Sequence, residues 1–327
     1  MSVDAALQTT ASEGGSRKHE KFERLLGSAR ALPKLTVAVV HPCDEASLGA
    51  ALEAASLGLI NPILVGPPHK MADCATKLSA DLSALRIVEA AHSHDAADKS
   101  VELVRAGEAD ALMKGSLHTD ELMAAVVSRQ TGLRTARRIS HCFIFDVPGH
   151  ATPLIVTDAA INIAPTLNEK RDIVQNAIDL ARALTTEEVK VAVLSAMETV
   201  NADVPSTIEA AALCKMADRG QIVGAVIDGP LALDNAINYG AAQVKKINSP
   251  VAGHANVLLV PDLEAGNILA KSLSFLAGAD AAGIVLGAKV PIILTSRADS
   301  RITRLASCAV ASLLAHARRS ALQAIRS

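Results

Sequence analysis

Residues 35–57 read LTVAVVHPCDEASLGAALEAASL, and the fold class is legible in them. Residues 35–40 form a wholly apolar, β-branched run of the kind a sheet buries on both faces. His41-Pro42-Cys43 ends the run, and Asp44 stands where a helix cap belongs. Leu48, Leu52 and Ala55 then recur on one helical face. The same alternation continues to the end of the chain. Further strands are expected at 63–65, 86–88, 111–113, 142–146, 154–156, 191–194, 223–227, 257–260, 283–286 and 291–294. Helices are expected between them. Ser206 followed by Glu209 predicts a capping box opening a helix at 207–218, and the last helix is expected over 300–318. Near-continuously apolar strands separated by helices imply an α/β protein whose mainly parallel sheets are covered on both faces.

The chain has 327 residues, about twice the usual domain length, so two three-layer α/β/α domains are expected. Residues 146–153, DVPGHATP, break the rhythm and predict a hairpin at a domain boundary. The expected division is a polar tail at 1–20, a first domain at 21–146 plus 291–327, and a second at 147–290. Lys and Arg number 32 against 34 Asp and Glu, and the chain holds four Phe, one Tyr and no Trp. That balance excludes duplex nucleic acid and anionic membranes as main partners, and it supplies no stacking platform for single strands. The five cysteines, Cys43, Cys74, Cys142, Cys214 and Cys308, are never spaced as CxxC. No disulfide framework or structural zinc is expected, and a reducing cytoplasm fits. Neither an apolar stretch long enough to span a membrane nor a secretory leader is read from the sequence.

Several chemistries lack their motifs: GxGxxG after a strand, GxxxxGK[ST], GxSxG and HExxH are all absent. His92-Ser93-His94-Asp95 is read as a solvated helix start, His254 as structural, and no metal site is assigned. The positive signals lie at the carboxyl ends of strands, where open α/β sheets bind ligands. Lys114-Gly115-Ser116 follows one strand and suits either an anion or an ordinary turn. Residues 129–140, RQTGLRTARRIS, carry four arginines within ten residues. Such a run, including Arg134 and Arg138 and ending at Ser140, is either a solvated surface or a docking site for a phosphorylated ligand. Thr157, Asp158 and Asn162 follow a later strand, Asp228 another, and Glu264 and Asn267 another; each could equally be helix capping. Ser296-Arg297-Ala298-Asp299 differs from these. A cation at a helix start opposes the helix dipole and is costly unless an anion is held there.

In the segments 112–115 (LMKG), 129–134 (RQTGLR), 139–146 (ISHCFIFD), 156–170 (VTDAAINIAPTLNEK), 219–236 (RGQIVGAVIDGPLALDNA), 258–273 (LLVPDLEAGNILAKSL) and 287–300 (GAKVPIILTSRADS), the chain resembles the phosphate acetyl/butyryltransferase family, and looks most similar to its butyryl branch. The likeness spans 35–314. It implies an isocitrate/isopropylmalate dehydrogenase-like fold with the site in a cleft between domains, and a homodimer. It also implies reversible transfer of an acetyl or butyryl group from its coenzyme A thioester to inorganic phosphate by direct attack in a ternary complex. Coenzyme A thioester and phosphate are then substrates, with no bound cofactor and no metal. By motif, Arg297 would hold phosphate or the acyl phosphate, and Ser296 would hydrogen-bond the reacting carbonyl. Where acetyltransferase members place an aspartate thought to act as base, this chain has Thr303, so that role passes to Asp299 or to solvent. Two other readings compete: an acyl-CoA-binding regulatory module without turnover, and a metal-dependent NAD dehydrogenase of the same fold.

Overall fold

The computed structural model describes residues 19–295 and 299–326. The strands are β1 (Leu35–Val40), β2 (Ile60–Gly66), β3 (Arg86–Glu89), β4 (Ala111–Lys114), β5 (Ser140–Asp146), β6 (Leu154–Thr157), β7 (Lys190–Leu194), β8 (Val226–Leu231), β9 (Val257–Leu259), β10 (Asp280–Leu286) and β11 (Ile292–Ile293). The helices are α1 (Glu20–Arg30), α2 (Glu45–Ser56), α3 (Pro68–Lys77), α4 (Ser93–Arg105), α5 (Thr119–Val127), α6 (Leu167–Leu184), α7 (Pro205–Asp218), α8 (Leu233–Ile237), α9 (Tyr239–Val244), α10 (Leu263–Phe275) and α11 (Arg301–Arg326). The α/β class is as expected.

The strands form one sheet in the order β3-β2-β1-β4-β11-β10-β5-β6-β9-β7-β8. Pairing is parallel from β3 to β11 and again from β6 to β8. Three antiparallel pairings, β11·β10, β10·β5 and β5·β6, join the halves. An odd number of reversals has a direct consequence: the two parallel halves run in opposite directions. Their carboxyl ends therefore leave the sheet at opposite edges. The β5–β6 hairpin around 146–153 is the expected one.

Asp44 caps α2 by accepting a hydrogen bond from Ser47 N at 2.7 Å, as its sequence position predicts. The capping box expected at Ser206 and Glu209 does not form. Pro205 opens α7, and its fixed φ and missing N–H already suit the first helical position. Ser206 Oγ instead lies 2.8 Å from Ser195 Oγ, and Glu209 pairs with Lys170. The box occurs on α6, between Thr166 and Glu169. The strand expected at 223–227 begins three residues later, so Asp228 lies inside β8 rather than after it.

His141, on β5, is fully buried with its ring 4.4 Å from that of Phe143, and Nδ1 has no hydrogen-bond partner among the described residues. Burial pushes its pKa down to about 4, with Asp158 acting in the opposite, weaker sense. Between pH 6.5 and that value only the unfolded chain takes up this proton, so stability is complete above pH 6.5 and falls as pH drops. The expected slope is about 1.4 kcal/mol per pH unit. Urea unfolding of His141→Gln at pH 7 and pH 5.5 should show that part of the slope removed; a variant as acid-sensitive as wild type would count against it.

Candidate active site

The chain winds outward from β1 through β2 to β3, then returns across to β4 on the other side of β1. The winding reverses between β1 and β4, and such a switch point opens a crevice at the strands' carboxyl ends. His41 follows β1 there and Gly115 follows β4. Gly115 cannot carry a side chain: a Cβ would lie 2.3 Å from Val40 O and 2.6 Å from His41 O. The absent Cβ allows the turn after β4 to close on β1, sealed by Gly115 N to Val40 O and Ser116 N to His41 O, both 2.9 Å.

Around this junction, Asp44, Ala46, Ser47, Lys114, Gly115, Thr295 and Arg304 line one small space. His41, Cys43, Asp44, Glu45, Ala46, Lys70 and Ser116 line a neighbouring cavity of about 490 Å³. Asp44 and Ala46 belong to both walls. Three cations, Lys70, Lys114 and Arg304, therefore face the amino end of α2, whose own dipole also favours an anion. Thr295 leads directly into Ser296 and Arg297, which lie outside the described residues. Asp299 is half-buried at the start of α11. Thr303 is buried, and its backbone N–H donates to Ser300 Oγ at 3.2 Å while the two hydroxyls lie 3.0 Å apart. Thr303 thus belongs to the cap of α11.

The other predicted residues lie elsewhere. Hydrogen-bonding positions Met113, Ile293, Ile284, Cys142 and Thr157 share one row across the sheet. Lys114 lies one residue beyond that row at one edge and Asp158 one residue beyond it at the other. Four strand spacings separate their strands, about 19 Å of sheet. Asp158 accepts from the backbone N–H groups of Ala160, Ile161 and Asn162, and from Asn162 Nδ2 at 2.6 Å. Asn162 in turn accepts from Arg138 Nε at 2.7 Å, and Arg138 Nη1 lies 3.0 Å from Glu169. Ser140 and Arg138 O both receive Asn176 Nδ2, and Thr157 Oγ1 donates to His141 O. Asn267 Nδ2 closes the group on Ala159 O at 3.3 Å. Ser140, Thr157, Asp158 and Asn162 are buried; this group is a hydrogen-bonded frame, with Arg138 its exposed cation. Ile161 of the same loop packs against the apolar cluster that includes Leu117 and takes in Leu294 at its margin, which ties the frame to the switch-point half.

The arginine run divides. Arg137 pairs with Asp179 and Arg138 with Glu169, both on α6, while Arg134 is exposed and bridges to Ala288. Asp228 accepts from Gly229 N beside Cys214, on the outermost strand, and joins neither group. Glu264 is exposed in the first turn of α10. Sequence reading missed His41 and Arg304. His41 was within reach, because the strand-end rule applied to β4 applies equally to β1; nothing local distinguishes Arg304 from the other cations of α11. Among the described residues no three His, Cys, Asp or Glu side chains meet where they could hold a metal ion, and no helix is long and apolar enough to cross a membrane.

These features define a doubly wound α/β protein with a cation-lined crevice at its switch point. The model of the family described as Phosphate acetyl/butaryl transferase matches residues 91–312, and the chain belongs to that family. It is 64% identical to a protein of Rhizobium meliloti named phosphate acetyltransferase, over 92% of this chain and 95% of that one. It is 40% identical to the phosphate butyryltransferase of Clostridium acetobutylicum, over 90% and 98%. Among solved structures, a branched-chain phosphotransacylase from Enterococcus faecalis V583 matches with a TM-score of 0.76 at 29% identity, covering 86% of this chain and 99% of that one. A 4-hydroxythreonine-4-phosphate dehydrogenase from Klebsiella pneumoniae, with a TM-score of 0.53 at 12% identity over 86% and 99%, shares the fold alone.

Proposed function

We propose that the protein transfers a short acyl group reversibly between coenzyme A and inorganic phosphate, and that the group is acetyl. The observation that carries the reading is the crevice itself: Lys114 and Arg304 converge with the amino end of α2 on the space that Thr295 enters just before Ser296 and Arg297. Lys114, Arg304 and Arg297 hold phosphate, and Ser296 hydrogen-bonds the thioester carbonyl. Transfer is direct, within a ternary complex. Cys43, the one thiol lining the crevice among the described residues, is held protonated because burial pushes its pKa up to about 11, so it makes a poor acyl acceptor at neutral pH. Acetyl is favoured over butyryl because the acetyltransferase-named relative is 64% identical and the butyryltransferase-named one 40%.

Arg134 and Arg138 meet the anionic parts of coenzyme A from the other half of the molecule, Arg138 being aimed by Asn162 within the Asp158 frame. Asp299 is the carboxylate that follows Arg297 in the chain. Cytoplasmic placement and a homodimer complete the reading. The scattered cysteines support the first, and the exposed apolar side chains of Val244, Ile268, Phe275 and Leu276 support the second.

The test is release of coenzyme A thiol from acetyl-CoA and butyryl-CoA, with and without inorganic phosphate, in the presence of a chelator. Release that requires phosphate, faster from acetyl-CoA, is expected. Release indifferent to phosphate would leave a thioesterase, and binding without release a regulatory module; either sinks the reading. A need for divalent metal and NAD would instead support the dehydrogenase.

A further inference from the structure

His41 is held in a backbone conformation that a β-carbon disfavours, with φ at +53°. Its neighbour Ser116 accounts for the ring. Ser116 Oγ donates to His41 O at 2.8 Å, accepts from Cys43 N at 3.2 Å, and lies 3.1 Å from His41 Nδ1. A hydroxyl has one hydrogen, and the 2.8 Å contact to His41 O is shorter than the 3.1 Å contact to His41 Nδ1. With the hydrogen on the carbonyl, His41 Nδ1 donates to Ser116 and the lone pair stands on Nε2. Nε2 bonds no described residue, and the ring lines the crevice beside Asp44 and Ala46, the two residues shared with the wall that carries Lys114 and Thr295. An imidazole with its tautomer and orientation fixed and its basic nitrogen left open is the arrangement that general-base catalysis requires.

We infer that His41 Nε2 is the proton acceptor for the coenzyme A thiol, an inference that rests on the acyl-transfer reading above. In the direction that consumes coenzyme A, the S–H proton passes to Nε2 and sulfur attacks the acyl carbonyl carbon. The carbon–oxygen bond to phosphate then breaks, its electron pair leaves on phosphate, and the proton held on Nε2 passes to that phosphate. In the reverse direction hydrogen phosphate gives its proton to Nε2 as its oxygen attacks the thioester carbon, the C–S bond breaks, and His41 passes that proton to the departing sulfur. The charges around the ring suit this. Burial, first, and Lys70 of α3, second, disfavour the imidazolium, outweighing Glu121 of α5 and Asp44 ahead of α2. His94 Nδ1 of α4 lies 3.9 Å from Glu121 Oε2. The free ring is thus neutral near pH 7 and able to accept.

The test is His41→Asn. Asparagine tolerates positive φ, and its Nδ2–H₂ stands close to where His41 Nδ1–H donates to Ser116, so the turn is kept while the base is removed. With coenzyme A and acetyl phosphate as substrates, kcat should fall about 100-fold, the limb of the pH profile that rises below pH 7 should vanish, and added imidazole should restore part of the rate. Asp299→Asn should keep that limb. An active wild type with a His41→Asn variant of equal kcat and unchanged profile would overturn the assignment, as would a loss confined to KM. A wild type with no phosphate-dependent turnover would instead overturn the acyl-transfer reading, and this assignment with it.

Discussion

Asp146→Ala should destabilise the protein by about 3–5 kcal/mol, because it strands a buried ammonium. Lys21 Nζ lies 2.7 Å from Asp146 Oδ1, with side chains only 2% and 3% exposed, and also donates to Val147 O at 3.0 Å. The carboxylate does more than neutralise a charge. His19, at the start of α1, offers no side-chain cap, and Asp146 Oδ2 accepts from Lys21 N at 2.9 Å and Phe22 N at 3.2 Å in its place. A residue at the end of β5 thus caps a helix more than a hundred residues earlier in the chain, and pins α1 against the sheet. The double variant Lys21→Met/Asp146→Leu should recover much of the loss, since a matched apolar pair leaves no uncompensated charge. Urea unfolding of the two singles and the double tests this. A single-variant cost under about 1 kcal/mol, typical of a surface pair, would refute it.

Arg297→Ala should lower kcat/KM for phosphate-dependent thiol release by at least 100-fold, about 3 kcal/mol of transition-state stabilisation. Arg297 follows two residues after Thr295, which lines the wall that holds Lys114 and Arg304, and a guanidinium fork matches the oxygens of an anion held there. Arg297→Lys should recover only part of the rate, because an ammonium cannot present the bidentate fork that matches phosphate oxygens. Steady-state rates at varied phosphate separate a loss in binding from a loss in turnover. Near-wild-type kinetics in the alanine variant would remove the segment from the site.

Much of the framework was readable one element at a time. The run at 35–40 became β1, Asp44 became the cap of α2, and the hairpin around 146–153 formed as expected, because each depends on apolar run length, a short polar cap or a turn-forming stretch. Local signals failed where two of them competed: Ser206 lost the helix start to Pro205, and Glu209 was claimed by Lys170 on α6. The candidate site shows the same division. Lys114-Gly115-Ser116 was visible as a strand-end group. The burial of Thr157, Asp158 and Asn162 in a frame of their own was not, since each reads in sequence as an ordinary capping residue.

The amino-acid sequence alone thus determined the α/β class, most of the strands and helices, and the family, because these rest on periodicity and on contiguous motifs. Only the tertiary structure decided that three antiparallel pairings set the two parallel halves in opposite directions, and so which strand ends share an edge. It alone brought His41 beside Ser116, 75 residues away. Strand order, edge polarity and long-range hydrogen bonds depend on which segments meet when the chain closes, and no local pattern of residue types encodes that choice.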